Sequence, residues 1–267
     1  MNENLKKTLD VYKYTEEEGG PGQAEVIVES PVTVFVNDVE LVTLLCLGRK
    51  LDYLAAGFLW TENVIATKDD IKSINADAEE SVVKVVIDKD EEYLKNLTFK
   101  RLVTTACGKG TSFYTIDAVA GKLPVNMSPL KVSPKDIIPL VAEFEDMSEL
   151  HEKTRGVHSA LLAEGRQGLI FHDDIGRHNA IDKVLGHALL DGVPVDDKMV
   201  ITSGRISSEV LLKVAKKGVP VLVSRAQPTD LAVSLADQLG VTLIGYVRKG
   251  SMNVYTHPER VRFDEET

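Results

Sequence analysis

The sequence predicts an α/β sandwich over residues 128–267, with a β-rich portion, 24–127, packed onto it. Three observations carry this. From residue 199 onward, apolar runs alternate with helix-spaced segments: MVIT, SSEVLLKVAKKG, VPVLVSR, PTDLAVSLADQLG and VTLIGYVR. The runs MVIT, VPVLV and VTLIGYV are nearly all apolar, as strands covered on both faces must be. Strand–helix–strand alternation implies parallel pairing with right-handed crossovers. The third observation lies upstream, where β-rich runs flank Asn37-Asp38, a hairpin-type turn.

In chain order, residues 1–23 are polar and carry Glu16-Glu17-Glu18-Gly19-Gly20-Pro21-Gly22, and they read as a flexible arm. The two strands around Asn37-Asp38 come next. RKLDYLAAGFLWTENV has apolar residues at Leu51, Leu54, Phe58 and Leu59, which is helical spacing. SVVKVVID reads as a strand, and YLKNLTFKRLVTTA as a further extended run into Cys107. Ser133-Pro134 is an N-cap followed by proline in the first turn, predicting a helix to about Met147. GVHSALLAEG and QGLIFHDD read as two strands joined by a tight turn, and GRHNAIDKVLGHALLDG as a helix. The last two helices end at Gly218 and Gly240, as C-capping favours.

Composition narrows the function. Of 267 residues, 43% are hydrophobic and 27% charged, so a core can form and wholesale disorder is excluded. The sequence has no apolar run of about 18 residues, and its first residues lack the apolar middle of a signal peptide. Neither a membrane nor export is expected. Two cysteines, Cys46 and Cys107, cannot make a disulfide framework, and both read as reduced thiols in a cytoplasm. A formal net charge of −10 argues against a general nucleic-acid binder and leaves room for a small anionic ligand.

Ligands of such sheets bind beyond the carboxyl ends of the strands. Four ends are readable here: Ser203-Gly204-Arg205, Arg225-Ala226-Gln227, Arg248-Lys249-Gly250-Ser251 and Gly176-Arg177-His178-Asn179. Each carries an arginine in a chain that is acidic overall. Any one alone is best read as a salt bridge to Asp173, Asp174 or Glu209. Four converging point to an anion pocket, since guanidinium forks and helix N-termini both suit phosphate. Lys109-Gly110 lacks the upstream glycine of a P-loop. The six histidines are dispersed and no CxxC occurs, which disfavours a metal centre. His158-Ser159-Ala160 lacks the acid of a zinc deaminase, and no G-x-S-x-G elbow is present. His158 itself reads as a satisfied strand histidine. Cys46 lies in an apolar strand and reads as buried and inert. Cys107, in TTACGKGTSFY, has small neighbours and a lysine two residues on, a setting that favours the thiolate. A core cysteine at a strand end fits that context equally well.

Several segments resemble the FdhD family of formate dehydrogenase accessory proteins. These are TRGVHSALL, HDDIGRHNAIDKVLG and the run ITSGRISSEVLLKVAKKGVPVLVSRAQPTDLAVSLADQLGVTLIGYVRKGSMNVYT, with ESPVTVFVNDVE and DYLAAGFLWTENVI upstream. The resemblance spans roughly residues 24–260, and DIGRHNAIDK is its most specific part.

The resemblance implies a three-layer sandwich similar to cytidine deaminases without their zinc site. It implies a sulfur carrier that takes sulfur from a cysteine desulfurase as a persulfide and passes it to the molybdenum cofactor before insertion into formate dehydrogenase. That cofactor, molybdenum bis(molybdopterin guanine dinucleotide), is a polyanion carried as substrate, with no metal held directly by protein side chains. Cys107 aligns with the persulfide cysteine. Tyr246, Val247, Arg248, Lys249, Gly250 and Ser251, with Ser203, Gly204 and Arg205, are the expected contacts of the guanine-dinucleotide part. Partners would be the desulfurase and the formate dehydrogenase catalytic subunit, with a homodimer expected on general grounds. Two departures stand out. The family's C-G-x-C loop here reads Cys107-Gly108-Lys109-Gly110, so its second cysteine is missing. That leaves an alternative, a cofactor-binding chaperone without sulfur transfer. Arg155 also stands where a glycine is frequent, which puts a side chain either on the surface or on the pocket rim.

Overall fold

The computed structural model describes residues 5–89, 121 and 123–262. Its centre is a six-stranded sheet in the order β12-β11-β10-β9-β7-β8. The strands are β7 (His158–Glu164), β8 (Gln167–Asp174), β9 (Met199–Thr202), β10 (Val221–Ser224), β11 (Thr242–Arg248) and β12 (Ser251–Val254). Strands β9, β10 and β11 pair in parallel, as their crossover spacing predicts. Strand β7 pairs antiparallel with both β8 and β9, and β12 antiparallel with β11.

Alternation along these strands divides the core. Val200, Leu222 and Leu243 face three helices, α4 (Arg177–Asp191), α5 (Ser208–Ala215) and α6 (Asp230–Gln238). Met199, Ile201, Val221, Val223 and Ile244 face α2 (Pro134–Asp146) on the other side, where Ile137, Leu140, Val141 and Phe144 fill the layer. This is the expected three-layer sandwich. Ser133 caps α2 by accepting a hydrogen bond from Lys135 N, with Pro134 in the first turn. A short helix, α3 (Glu149–Thr154), follows it. Ser148 caps α3 by accepting from His151 N.

The upstream portion forms a second sheet, ordered β4-β3-β6-β5, from β3 (Ser30–Val36), β4 (Val39–Cys46), β5 (Ile71–Asp77) and β6 (Val82–Ile87). Asn37 and Asp38 make the β3–β4 turn with φ of 47° and 63°, the left-handed values that such a two-residue turn requires. Helix α1 (Leu51–Thr61) buries Leu51, Leu54, Phe58 and Leu59 against this sheet. Its other face meets α4. There the two backbones touch through glycines: a β-carbon on Gly57 would lie 1.8 Å from Asp182 O, and one on Gly186 would lie 2.0 Å from Tyr53 O. Beside this crossing, buried Lys213 of α5 donates to both Asp182 oxygens (3.0 and 2.9 Å), to Thr61 Oγ1 (2.9 Å) and to Glu62 Oε1 (3.2 Å). Burial works against the Lys213 ammonium, but attraction to Asp182 and Glu62 outweighs it and raises its pKa. Burial raises the Asp182 carboxyl as well, against the pull of Lys213. With four acceptor atoms on one ammonium, we read the pair as ionised.

Residues read from sequence as a flexible arm pair instead as a ribbon, β1 (Lys6–Tyr14) with β2 (Gly19–Ile27), antiparallel throughout. Most of its side chains are exposed, so its polar composition is that of a two-stranded ribbon in water. The expected run 93–107 lies outside the described residues. Among the described residues, no helix is long and apolar enough to cross a membrane.

Candidate functional site

A cleft of about 590 Å³ opens at the carboxyl ends of the parallel strands. Ser203, after β9, Arg225 and Ala226, after β10, and Arg248, ending β11, form its floor. The first residues of antiparallel β7, His158 and Ser159, reach the same end. The wall comes from the last turn of α2, where Glu145 and Asp146 sit, and from His151, Arg155 and Gly156 around the α3–β7 connection.

Each floor residue has a local cause. Ser203 N donates to Ser159 O at 3.0 Å, extending the β7–β9 pairing by one step. Ser203 Oγ then accepts from Ser159 N at 2.9 Å and lies 3.2 Å from His158 Nδ1. Because the serine oxygen already accepts from the backbone, its proton is free to point at the imidazole. Burial, and then the neighbouring charges of Arg177, His151 and His178, hold His158 below its ordinary pKa. It therefore enters the cleft as a neutral ring at neutral pH.

Arg248 is aimed by a bulge. The β11–β12 register shifts between Gly245 and Arg248, and Tyr246 takes a left-handed φ of 54°. Arg248 then donates to Arg225 O at 2.6 Å and to Val247 O at 3.1 Å, with its guanidinium 4.5 Å from the Tyr246 ring centre. Arg225 forms an ion pair with Glu145. Partial burial and then the Arg248 charge lower its pKa.

Of the residues expected to hold an anion, Ser203 and Arg248 line the cleft. Tyr246 supports Arg248 from behind. Val247 is buried against α2. Gly204 is buried too, and a β-carbon there would meet the Arg177 side chain at 2.9 Å. Arg205, Lys249, Gly250 and Ser251 are exposed outside the lining, the last three at the β11–β12 turn. Arg155 takes the rim position, at the C-cap of α3 with φ of 53°. His151 and Glu145 carry no signal in the sequence, since α3 has six residues and buries none of them, and Glu145 sits among solvent-type charges.

Cys107 lies outside the described residues. Cys46 is fully buried, and its thiol donates to Ser30 O at 3.6 Å. Burial, then Asp174, push that thiol up to about 12.

The DIGRHNAIDK segment builds the frame beside the cleft. Asp174 pairs with Lys183 at 2.5 Å and accepts from Leu47 N at 3.2 Å, both in buried surroundings. Asn179 donates to Leu45 O at 2.8 Å, tying the end of β4 to the start of α4. Neighbouring Asp173 pairs with Arg49 and accepts from Ser148 Oγ at 2.7 Å. Ser148 caps α3, so this chain of contacts reaches His151 on the cleft wall.

The FdhD/NarQ family model matches residues 27–262. The Sulfur carrier protein FdhD of Bacillus subtilis (strain 168) is 41% identical over 263 residues, covering 98% of this chain and 100% of that protein. The Sulfur carrier protein FdhD of Staphylococcus haemolyticus (strain JCSC1435) is 37% identical over 266 residues, covering 99% and 100%. A crystal structure from Desulfotalea psychrophila, whose name proposes a formate dehydrogenase accessory protein, superposes with a TM-score of 0.77 at 26% identity. It covers 97% of this chain and 100% of that one.

Proposed function

Because the chain belongs to the FdhD/NarQ family, we propose that it is a sulfur carrier serving formate dehydrogenase. In this reading Cys107 is the carrier atom's holder. Its thiolate attacks the outer sulfur of a persulfide on a cysteine desulfurase. The donor's S–S bond breaks, the donor cysteine leaves as a thiolate, and a Cys107 persulfide forms with no net oxidation. The recipient is the molybdenum cofactor in its bis(molybdopterin guanine dinucleotide) form, bound as substrate at the cleft before insertion into the enzyme.

The observation that carries the cofactor part is the meeting of Ser203, Arg225 and Arg248 at the strand ends, in a chain of net charge −10. Local positive charge against an acidic background favours a phosphate-bearing ligand over nucleic acid in general. Neutral His158 and the Ser203 hydroxyl add hydrogen bonding without further charge.

Two measurements test this. Incubation of the purified protein with a cysteine desulfurase and cysteine should add the mass of one sulfur atom to the peptide containing Cys107, and to no other. Addition to the Cys46 peptide would reverse the assignment. Guanosine diphosphate stands in for one arm of the cofactor. Charge-assisted hydrogen bonds contribute roughly 1.5–3 kcal/mol each, so Arg248→Ala should weaken its binding about tenfold or more, with the loss shrinking at high salt. Equal dissociation constants for wild type and Arg248→Ala at low salt would move the ligand elsewhere.

A second reading, a cofactor chaperone without sulfur transfer, draws on the loop sequence Cys107-Gly108-Lys109-Gly110, which has a single thiol. An unmodified Cys107 together with intact guanosine diphosphate binding would favour it.

A further inference from the structure

We infer that Arg225 is a ligand-binding residue of the cleft, held in the free protein by Glu145, whose carboxylate the ligand's phosphate must displace. The inference rests on the reading of the cleft as a phosphate site and adds to it which carboxylate competes with the ligand there.

Glu145 is oddly placed for its own helix. It lies in the last turn of α2 next to Asp146, and that turn has no basic residue. Carboxylates there face the negative end of the helix dipole and are disfavoured by it. What compensates Glu145 is across the cleft, in the ion pair with Arg225. Both side chains are partly exposed, at 44% and 33%, while the paired Glu145 Oε1 is itself covered, so a ligand reaches the pair from the Arg225 side.

The guanidinium it holds belongs with Arg248. Arg248 donates to the Arg225 carbonyl at 2.6 Å, which fixes the two residues side by side at the ends of β10 and β11. Glu145 is the carboxylate paired with Arg225 among the described residues, and no ion pair to Arg248 occurs there. A pyrophosphate, with one negative charge on each phosphate, can bridge both arginines, whereas the Glu145 carboxylate engages one. Binding therefore exchanges one ion pair for a doubly supported contact. Release runs the other way, with Glu145 recapturing Arg225 as the ligand leaves. A cofactor bound as substrate has to leave once it is sulfurated, and an internal competitor lowers affinity without removing any ligand contact.

The test is a double-mutant cycle of Glu145→Gln and Arg225→Ala, read by titration calorimetry with guanosine diphosphate at low salt. Glu145→Gln should bind about three- to fivefold tighter than wild type, the range expected for releasing a partly exposed ion pair. Arg225→Ala should bind several-fold weaker. In the Arg225→Ala background, Glu145→Gln should change little. Glu145→Gln binding no tighter than wild type would overturn the inference. So would an equal gain in both backgrounds, which would mark a general charge effect. If wild type binds and Arg248→Ala weakens it while Glu145→Gln is silent, the phosphate site stands and only this inference falls. If no variant binds guanosine diphosphate, the reading of the cleft falls with it.

Discussion

Cells lacking their own accessory protein should regain formate dehydrogenase activity with this chain, and should show none above background when it carries Cys107→Ala. Alanine has no atom on which a sulfane sulfur can ride, so the effect is a loss of the step and not a slowing of it. The chain holds no substitute. Its other cysteine, Cys46, is fully buried in β4 with a pKa of about 12. Burial keeps that thiol protonated at neutral pH and out of reach of a partner's active site. Cys46→Ala should therefore keep activity and cost only packing. Appreciable activity with Cys107→Ala would mean that sulfur travels by another route.

Gly57→Ala should lower the melting temperature by about 6–12 °C, corresponding to about 3 kcal/mol for a chain of this size. The sign is the informative part. In an exposed helix interior the same change stabilises by up to about 1 kcal/mol, because alanine is the better helix former. Here the new methyl would fall 1.8 Å from a backbone carbonyl of α4, and no side chain can rotate away to relieve it. The two helices must separate, which disturbs the apolar layers on both sides and the Lys213 cluster beside them. Gly186→Ala should act alike, and the double variant should fall short of additivity, since one displacement serves both. An unchanged or raised melting temperature for Gly57→Ala would show that the helices part at little cost.

Much of the sandwich was legible because its signals are local. Asn37-Asp38 can take left-handed backbone angles, Ser133-Pro134 starts a helix in only one way, and fully covered strands such as MVIT leave no polar alternation. The ribbon over 6–27 was not legible. Its strands bury little, so hydrophobic periodicity, the main cue, is absent, and the glycines and glutamates resemble a linker. Strand β12 was hidden because SMNV follows a turn and is only half-buried at the sheet edge. Within the cleft, Arg248 and Ser203 were found because strand ends are readable, while Arg205 and Lys249 follow the same rule and point to solvent. Which residue of a strand-end cluster turns inward depends on the β11 bulge, a register feature that no short motif encodes. Arg155 could be narrowed to surface or rim, and α3 with its left-handed C-cap decided for the rim. Glu145 was invisible because its role depends on a residue 80 positions away in the chain, across the cleft.

The cluster around Lys213 also bears on how the molecule is made. Its acceptor Thr61 precedes Lys213 by 152 residues, and Leu47 precedes Asp174 by 127. At about 5–20 residues per second, a ribosome needs roughly 8–30 s to span the longer gap. Throughout that interval the amino-terminal sheet and α1 are complete as sequence but present an open apolar helix face and a glutamate without its counter-charge. Maturation of the first half therefore waits on the second. Slower elongation lengthens the period in which that face stays open to water and to other chains.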